Sequence, residues 1–130
     1  MNKELPNWTN VNILIAEDEE INYQLIRVAL KRTGAHIFRA NNGQEAVDFV
    51  KKNNHIHIIL MDIQMPVMNG YQAIEIIKSI NHDIPIIVQT AFAMASEKDR
   101  AYEVGCDDYV TKPINLDILV SKMKSLIVFS

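Results

Sequence analysis

The chain has 130 residues, 48% of them hydrophobic and 22% charged, with a formal net charge of −3 and a pI near 5.8. This profile suits one globular domain with a substantial core, and no second domain is expected within it. The acidic balance and the scattered lysines and arginines give no electrostatic reason to bind a polyanion, so direct nucleic-acid binding is not expected.

The opening MNKELPNWTN is polar, lacks signal-peptide character, and reads as linker or tail over residues 1–10. Short aliphatic runs then alternate with longer amphipathic ones. VNILIA (11–16), AHIFRA (35–40), IHIILMD (56–62), IPIIVQT (84–90) and DDYVTK (107–112) are predicted strands, several apolar on both faces. Between the first two, Ile21, Leu25 and Val28 share one helix face; after the second, Ala46, Phe49 and Val50 share another. Ala73, Ile76, Ile77 and Ile80 follow helical spacing, as do Leu116, Leu119, Met123 and Leu126 behind a candidate N-cap, Asn115. The segment 95–104 has the fewest core candidates; Ser96 and Asp99 suggest a capping pair and Gly105 a C-cap. His55 and His57 alternate with Ile56 and Ile58 and read as one face of a strand edge. The six methionines read as gap-fillers. The lone Cys106 excludes an internal disulfide and reads as a small buried residue in a reducing compartment. No apolar run approaches the length of a membrane span, and a cytoplasmic location without membrane contact is expected.

Regular alternation of strand and helix predicts a doubly wound α/β domain with a parallel sheet, because parallel neighbours need crossovers and the helices supply them. Ligands of such sheets bind outside the carboxyl ends of the strands. The first strand ends on Glu17 and Asp18, the third on Asp62, the fourth on Thr90 and the fifth on Lys112 and Pro113. Carboxylates gathered in one crevice repel, and a hard cation relieves the repulsion. The expected ion is Mg²⁺, which takes one or two carboxylates and keeps positions for water and phosphoryl oxygens.

ILIAEDEE, MDIQMPVMNG, QTA and DDYVTKPI resemble, in order and spacing over residues 11–128, the receiver domain of two-component response regulators. The likeness is strongest to the C-terminal receiver of hybrid sensor histidine kinases. It implies the flavodoxin-like strand order 2-1-3-4-5. It further implies Asp62 as phosphoacceptor, Glu17 and Asp18 as metal-holding acids, and Gln64 as donor of a backbone carbonyl to the metal. Thr90 becomes the switch hydroxyl, Tyr109 the switch aromatic, Lys112 the phosphoryl-binding amine, and Lys112–Pro113 a cis peptide. Gln64 and Phe92 would tune dephosphorylation. Such a domain catalyses its own phosphorylation and slow autodephosphorylation. Its implied partners are the phosphohistidine domain of a kinase or a histidine phosphotransfer protein, and a second copy across the fourth helix, fifth strand and fifth helix. The parent of a hybrid-kinase receiver is expected to be membrane-anchored in some cases.

Simpler readings stand beside these. Asp18 and Glu19 can cap the following helix, Thr90 is an ordinary strand residue, and Tyr109 is ordinary packing. A phosphohydrolase of the aspartate-nucleophile type needs a second aspartate two residues after the first, where this chain has Gln64. A nucleotide- or flavin-binding domain needs a phosphate loop after the first strand, where this chain has acids. A stand-alone single-domain regulator and a pseudo-receiver that lost phosphorylation remain open.

Overall fold

The computed structural model describes residues 5–53, 55–91 and 95–127. In chain order they form β1 (Asn12–Ala16), α1 (Glu20–Lys31), β2 (His36–Ala40), α2 (Gly43–Lys52), β3 (Ile58–Asp62), α3 (Gly70–Ile80), β4 (Ile86–Thr90), α4 (Ala95–Val104), β5 (Asp108–Thr111) and α5 (Leu116–Leu126). All strands are parallel, in the order β2-β1-β3-β4-β5. Each predicted strand and helix is present, with most strands a residue or two shorter at their starts than the sequence pattern indicates.

The central strands explain the layering. Every residue of β3 (IILMD) and β4 (IIVQT) is buried, as expected of strands covered on both sides. Alternation sends Leu14, Ala16, Ile59, Met61, Ile86 and Val88 into a core shared with α2, α3 and α4. Ile13, Ile15, Ile58, Leu60 and Ile87 face the other way, into a core closed by α1 and α5. Trp8, from the segment read as linker or tail, is 3% exposed within this second core, and its N–H donates to the Thr33 carbonyl at 2.8 Å.

Asparagine side chains start three helices. Asn42, Asn69 and Asn115 accept from the backbone N–H three residues on, and Asn69 with Gln72 forms a full capping box. Gly105 ends α4 at φ +114°, a conformation that favours glycine. Gly70 serves close approach rather than positive φ: a Cβ there would lie 2.5 Å from the carbonyl oxygen of Asp62.

One helix faces unexpectedly. Ile21, Leu25 and Val28 share a face, but it points to solvent, with exposures of 79%, 61% and 56%. Tyr23, Ile26 and Leu30 fill the core instead. A helix with apolar residues on both flanks does not reveal its inner face by periodicity alone; packing against the sheet and α5 selects the Tyr23, Ile26 and Leu30 row. Among the described residues, no helix is long and apolar enough to cross a membrane.

Candidate functional site

The carboxyl ends of β1, β3, β4 and β5 converge. β1 runs out at Ala16, and the next residue, Glu17, continues the alternation toward the α1/α5 side, where it is completely buried. Asp62, the last residue of β3, is on the same side as Ile58 and Leu60 and is 2% exposed. Asp18 sits in the loop between β1 and α1 and is exposed. Carboxylate oxygens of Glu17, Asp18 and Asp62 all lie within 4.8 Å of one another.

The carboxylate of Asp62 is held at both oxygens. Oδ1 accepts from the Gln64 backbone N–H at 3.0 Å, and Oδ2 accepts from Lys112 Nζ at 2.9 Å. Lys112 also lies 3.8 Å from Glu17 Oε1. It reaches the site from the loop after β5, where the Lys112–Pro113 peptide is cis and the Lys112 N–H donates to the Thr90 carbonyl at 2.8 Å. Gly70 lets α3 begin against Asp62: its N–H donates to the Ile63 carbonyl at 2.9 Å, closing the loop that carries Gln64 and Pro66. Val67 in that loop takes φ 70°, a strained conformation for a β-branched residue.

One ammonium does not balance three carboxylates. Burial, together with the hydrogen bond and repulsion from Asp62, pushes Glu17 up to about 7. Partial burial works against the charge on Lys112, yet the hydrogen bond and attraction of Asp62, with Glu17 and Glu19 behind, hold it above its ordinary value. A site whose buried acid is discouraged from ionising, built wholly of hard oxygen donors, fits a small divalent cation. Glu19, at the N-cap of α1, makes no side-chain capping bond.

On the other side of the sheet, Thr90 ends β4 at 5% exposure, beside Met61 and Val88 in parity. It borders a cleft of about 230 Å³ lined by Ile63, Gln64, Met65, Tyr71 and Arg100 among others. Tyr109 packs against the same core from β5. Its ring lies between two ammonium groups, Lys98 at 4.4 Å and Lys122 at 4.9 Å, and meets the edge of Tyr102 at 6.2 Å. Phe92, expected to tune dephosphorylation, lies outside the described residues.

The structure adds residues that sequence reasoning missed. Arg39, at the end of β2, pairs with Glu20, stacks 4.3 Å over Tyr23, and donates through Nε to the Glu17 carbonyl at 3.2 Å, so it ties down the acidic loop. Half-buried Asn22 and fully buried Gln89 form a polar bridge beside Glu17. The one signal available for them was polarity where the pattern calls for core: Gln89 interrupts the apolar run of β4.

Comparison with known proteins agrees with this geometry. Residues 13–124 match the family model described as the response regulator receiver domain. The chain is 43% identical over 115 residues to hybrid signal transduction histidine kinase I of Dictyostelium discoideum, 82% of this chain but 7% of that protein. It is 37% identical over 119 residues to response regulator RR06 of Streptococcus pneumoniae, so it spans about half, 53%, of that relative. It is 35% identical to the polar-differentiation response regulator DivK of Brucella ovis, covering 88% of this chain and 94% of DivK. Among solved structures, the receiver domain of Ssk1 from Saccharomyces cerevisiae, crystallised with the histidine phosphotransfer protein Ypd1, superposes with a TM-score of 0.85 at 32% identity, over 95% of this chain and 91% of that one. With the strand order, acidic cluster and paired aspartate and lysine all falling within the matched residues, the chain belongs to the response regulator receiver domain family of two-component signal transduction.

Proposed function

We propose that Asp62 is the phosphoacceptor of a phosphorelay, taking its phosphoryl group from a phosphohistidine. The observation that carries this reading is the buried Asp62 carboxylate, oriented at both oxygens by Gln64 N–H and Lys112 Nζ beside two further acids. A carboxylate so held is ready for in-line attack on phosphorus. The O–P bond forms as the P–N bond breaks, and the imidazole leaves with the bonding electron pair, neutral when its other nitrogen carries a proton. Lys112 exchanges its partner from Asp62 to a phosphoryl oxygen and neutralises charge there. Mg²⁺ held by Asp18, Asp62 and the Gln64 carbonyl, with Glu17 in its outer shell, would supply further positive charge to the transferring oxygens. Thr90 then donates its hydroxyl to a phosphoryl oxygen that was absent before, drawing the end of β4 inward and giving the Tyr109 ring room to turn in.

The exposed row Ile21, Leu25 and Val28 begins one turn from the acidic loop, and we assign it to docking the helix that carries the donor histidine. The likeness to a receiver crystallised with a histidine phosphotransfer protein supports this partner class. Output is assigned to the face of α4, β5 and α5, where Tyr102 and Ile118 are 46% and 50% exposed, for a second copy or a downstream partner. The 43% identity to a hybrid kinase supports a receiver attached to a kinase; the 94% coverage of DivK supports the second reading, a stand-alone regulator.

The test is incubation with acetyl phosphate and Mg²⁺, read by intact mass. The wild-type domain is expected to gain one phosphoryl group and Asp62→Asn none, because the isosteric amide is not a nucleophile. Excess chelator should stop the wild-type reaction. Stoichiometric phosphorylation of folded Asp62→Asn overturns the assignment, and a wild type that never gains the mass leaves a pseudo-receiver.

A further inference from the structure

Beneath the acidic cluster a second polar layer crosses the sheet. Asn22, in the first turn of α1, uses both hydrogens of one amide nitrogen: Nδ2 donates to Glu17 Oε1 and, at 3.2 Å, to Gln89 Oε1. Gln89 is completely buried in β4, in register with Asp62, and its Nε2 meets no hydrogen-bond partner among the described residues. On that side of the sheet Gln89 lies beside the carboxylate-bearing Asp62, its register partner in β3, and the apolar Ile87 and Val110. An amide that leaves a buried donor unsatisfied is costly, so stability alone does not explain this residue.

Its geometry does. Glu17 has no exposure to water, and apart from the bridge its carboxylate meets the Glu19 N–H at 3.3 Å, Lys112 at 3.8 Å and the repelling carboxylate of Asp62. Asn22 is thus the neutral side chain that fixes Oε1, and Gln89 fixes Asn22 by occupying its second hydrogen. We propose that Asn22 and Gln89 are positioning residues for the acidic cluster, holding the Glu17 carboxylate in the orientation in which Glu17, Asp18 and Asp62 together receive a divalent cation. Neither touches the cation or the transferring group; both act through Glu17. The inference rests on the reading of the cluster as the Mg²⁺ site.

The test measures Mg²⁺ affinity of the unphosphorylated domain by NMR titration, alongside urea unfolding, for wild type, Asn22→Leu, Gln89→Leu, the double variant and Asp18→Ala. Asn22→Leu is expected to weaken Mg²⁺ binding about tenfold, the scale of an outer-shell partner. Gln89→Leu should weaken it less without loss of stability, and the double variant should bind no worse than Asn22→Leu, since Gln89 acts only through Asn22. The phosphorylation rate of Asn22→Leu should recover at saturating Mg²⁺. Unchanged affinity in folded Asn22→Leu overturns the inference, as does a double variant whose losses add. If Asn22→Leu does not fold, unchanged affinity in Gln89→Leu overturns it. Loss of binding in Asp18→Ala but not in Asn22→Leu defeats this inference alone, whereas a wild type that binds no Mg²⁺ defeats the reading of the cluster and the inference with it.

Discussion

On the α1/α5 side of the sheet the strand termini present Glu17, Asp62 and Gln89, with Lys112 reaching in from the following loop, and each of these side chains makes at least one polar contact. On the other side the same strands end in Thr90 and carry Tyr109, and the helix that covers them, α4, buries only Ala101 among the described residues, where α3 buries Gly70, Tyr71, Ala73, Ile74 and Ile77. Adjacent residues of β4, Gln89 and Thr90, therefore serve opposite sides. The difference teaches how a small sheet separates tasks by parity. Under the proposed function, chemistry, which needs preorganised charge, uses the tightly held side, and the switch, which needs an element with little packing to lose, uses the other.

The largest effect that sharpens this contrast is expected from Lys112→Met. Removing the ammonium should slow phosphorylation by acetyl phosphate about a hundredfold, the scale for loss of one charge-stabilising donor, while Tyr109→Ala leaves that rate nearly unchanged. Equal losses in the two variants would break the division. Next, Phe92→Glu is expected to speed release of phosphate from the phosphorylated domain about tenfold, by supplying an acceptor that orients the attacking water, without altering the rate of phosphorylation. The wild type, with no such group at that position or a carboxylate at Gln64, should hold its phosphoryl group long enough for onward transfer. Phosphate loss as fast in the wild type as in the variant would end that argument.

A smaller effect uses Cys106 as a reporter under α4. Its N–H donates to the Ala101 carbonyl at 3.0 Å, its side chain is 6% exposed, and burial, with Asp107 and Asp108 nearby, pushes the thiol up to about 12. The folded thiol thus stays neutral where an unfolded one ionises. The stability this contributes is full below the ordinary value of 9.0 and is lost as pH rises toward about 12. Thiol labelling of the native domain near neutral pH should be slow and should track opening of α4; labelling as fast as a free thiol would show that this side is not closed at all. The smallest effect is expected from Val67→Asn in the loop between the two sides: relief of a left-handed β-branched residue should raise stability by about 1 kcal/mol in urea unfolding, with phosphorylation unchanged.

Much of this was determined by the sequence alone. Short aliphatic runs ending in Glu17, Asp62, Thr90 and Lys112 specify strands, and the amphipathic crossovers between them specify a parallel sheet, because apolar run length and helical spacing are local patterns. Convergence of the acids at the strand ends follows from that topology. What only the tertiary structure decided depends on which neighbour each side chain finds. The row Ile21, Leu25 and Val28 reads as helix either way, and only packing turns it to solvent and Tyr23, Ile26 and Leu30 inward. Gly70 satisfies two demands equally well in sequence, and the 2.5 Å approach to Asp62 identifies the one that applies. Trp8 lies in a polar lead-in, yet its ring finds a place in the core beside α1 and α5. Asn22 and Gln89 stand 67 positions apart and carry no spacing rule that links them. They meet because the first turn of α1 and the end of β4 come together beside Glu17, and a hydrogen bond across that sequence distance is specified by three-dimensional proximity, which no local pattern encodes.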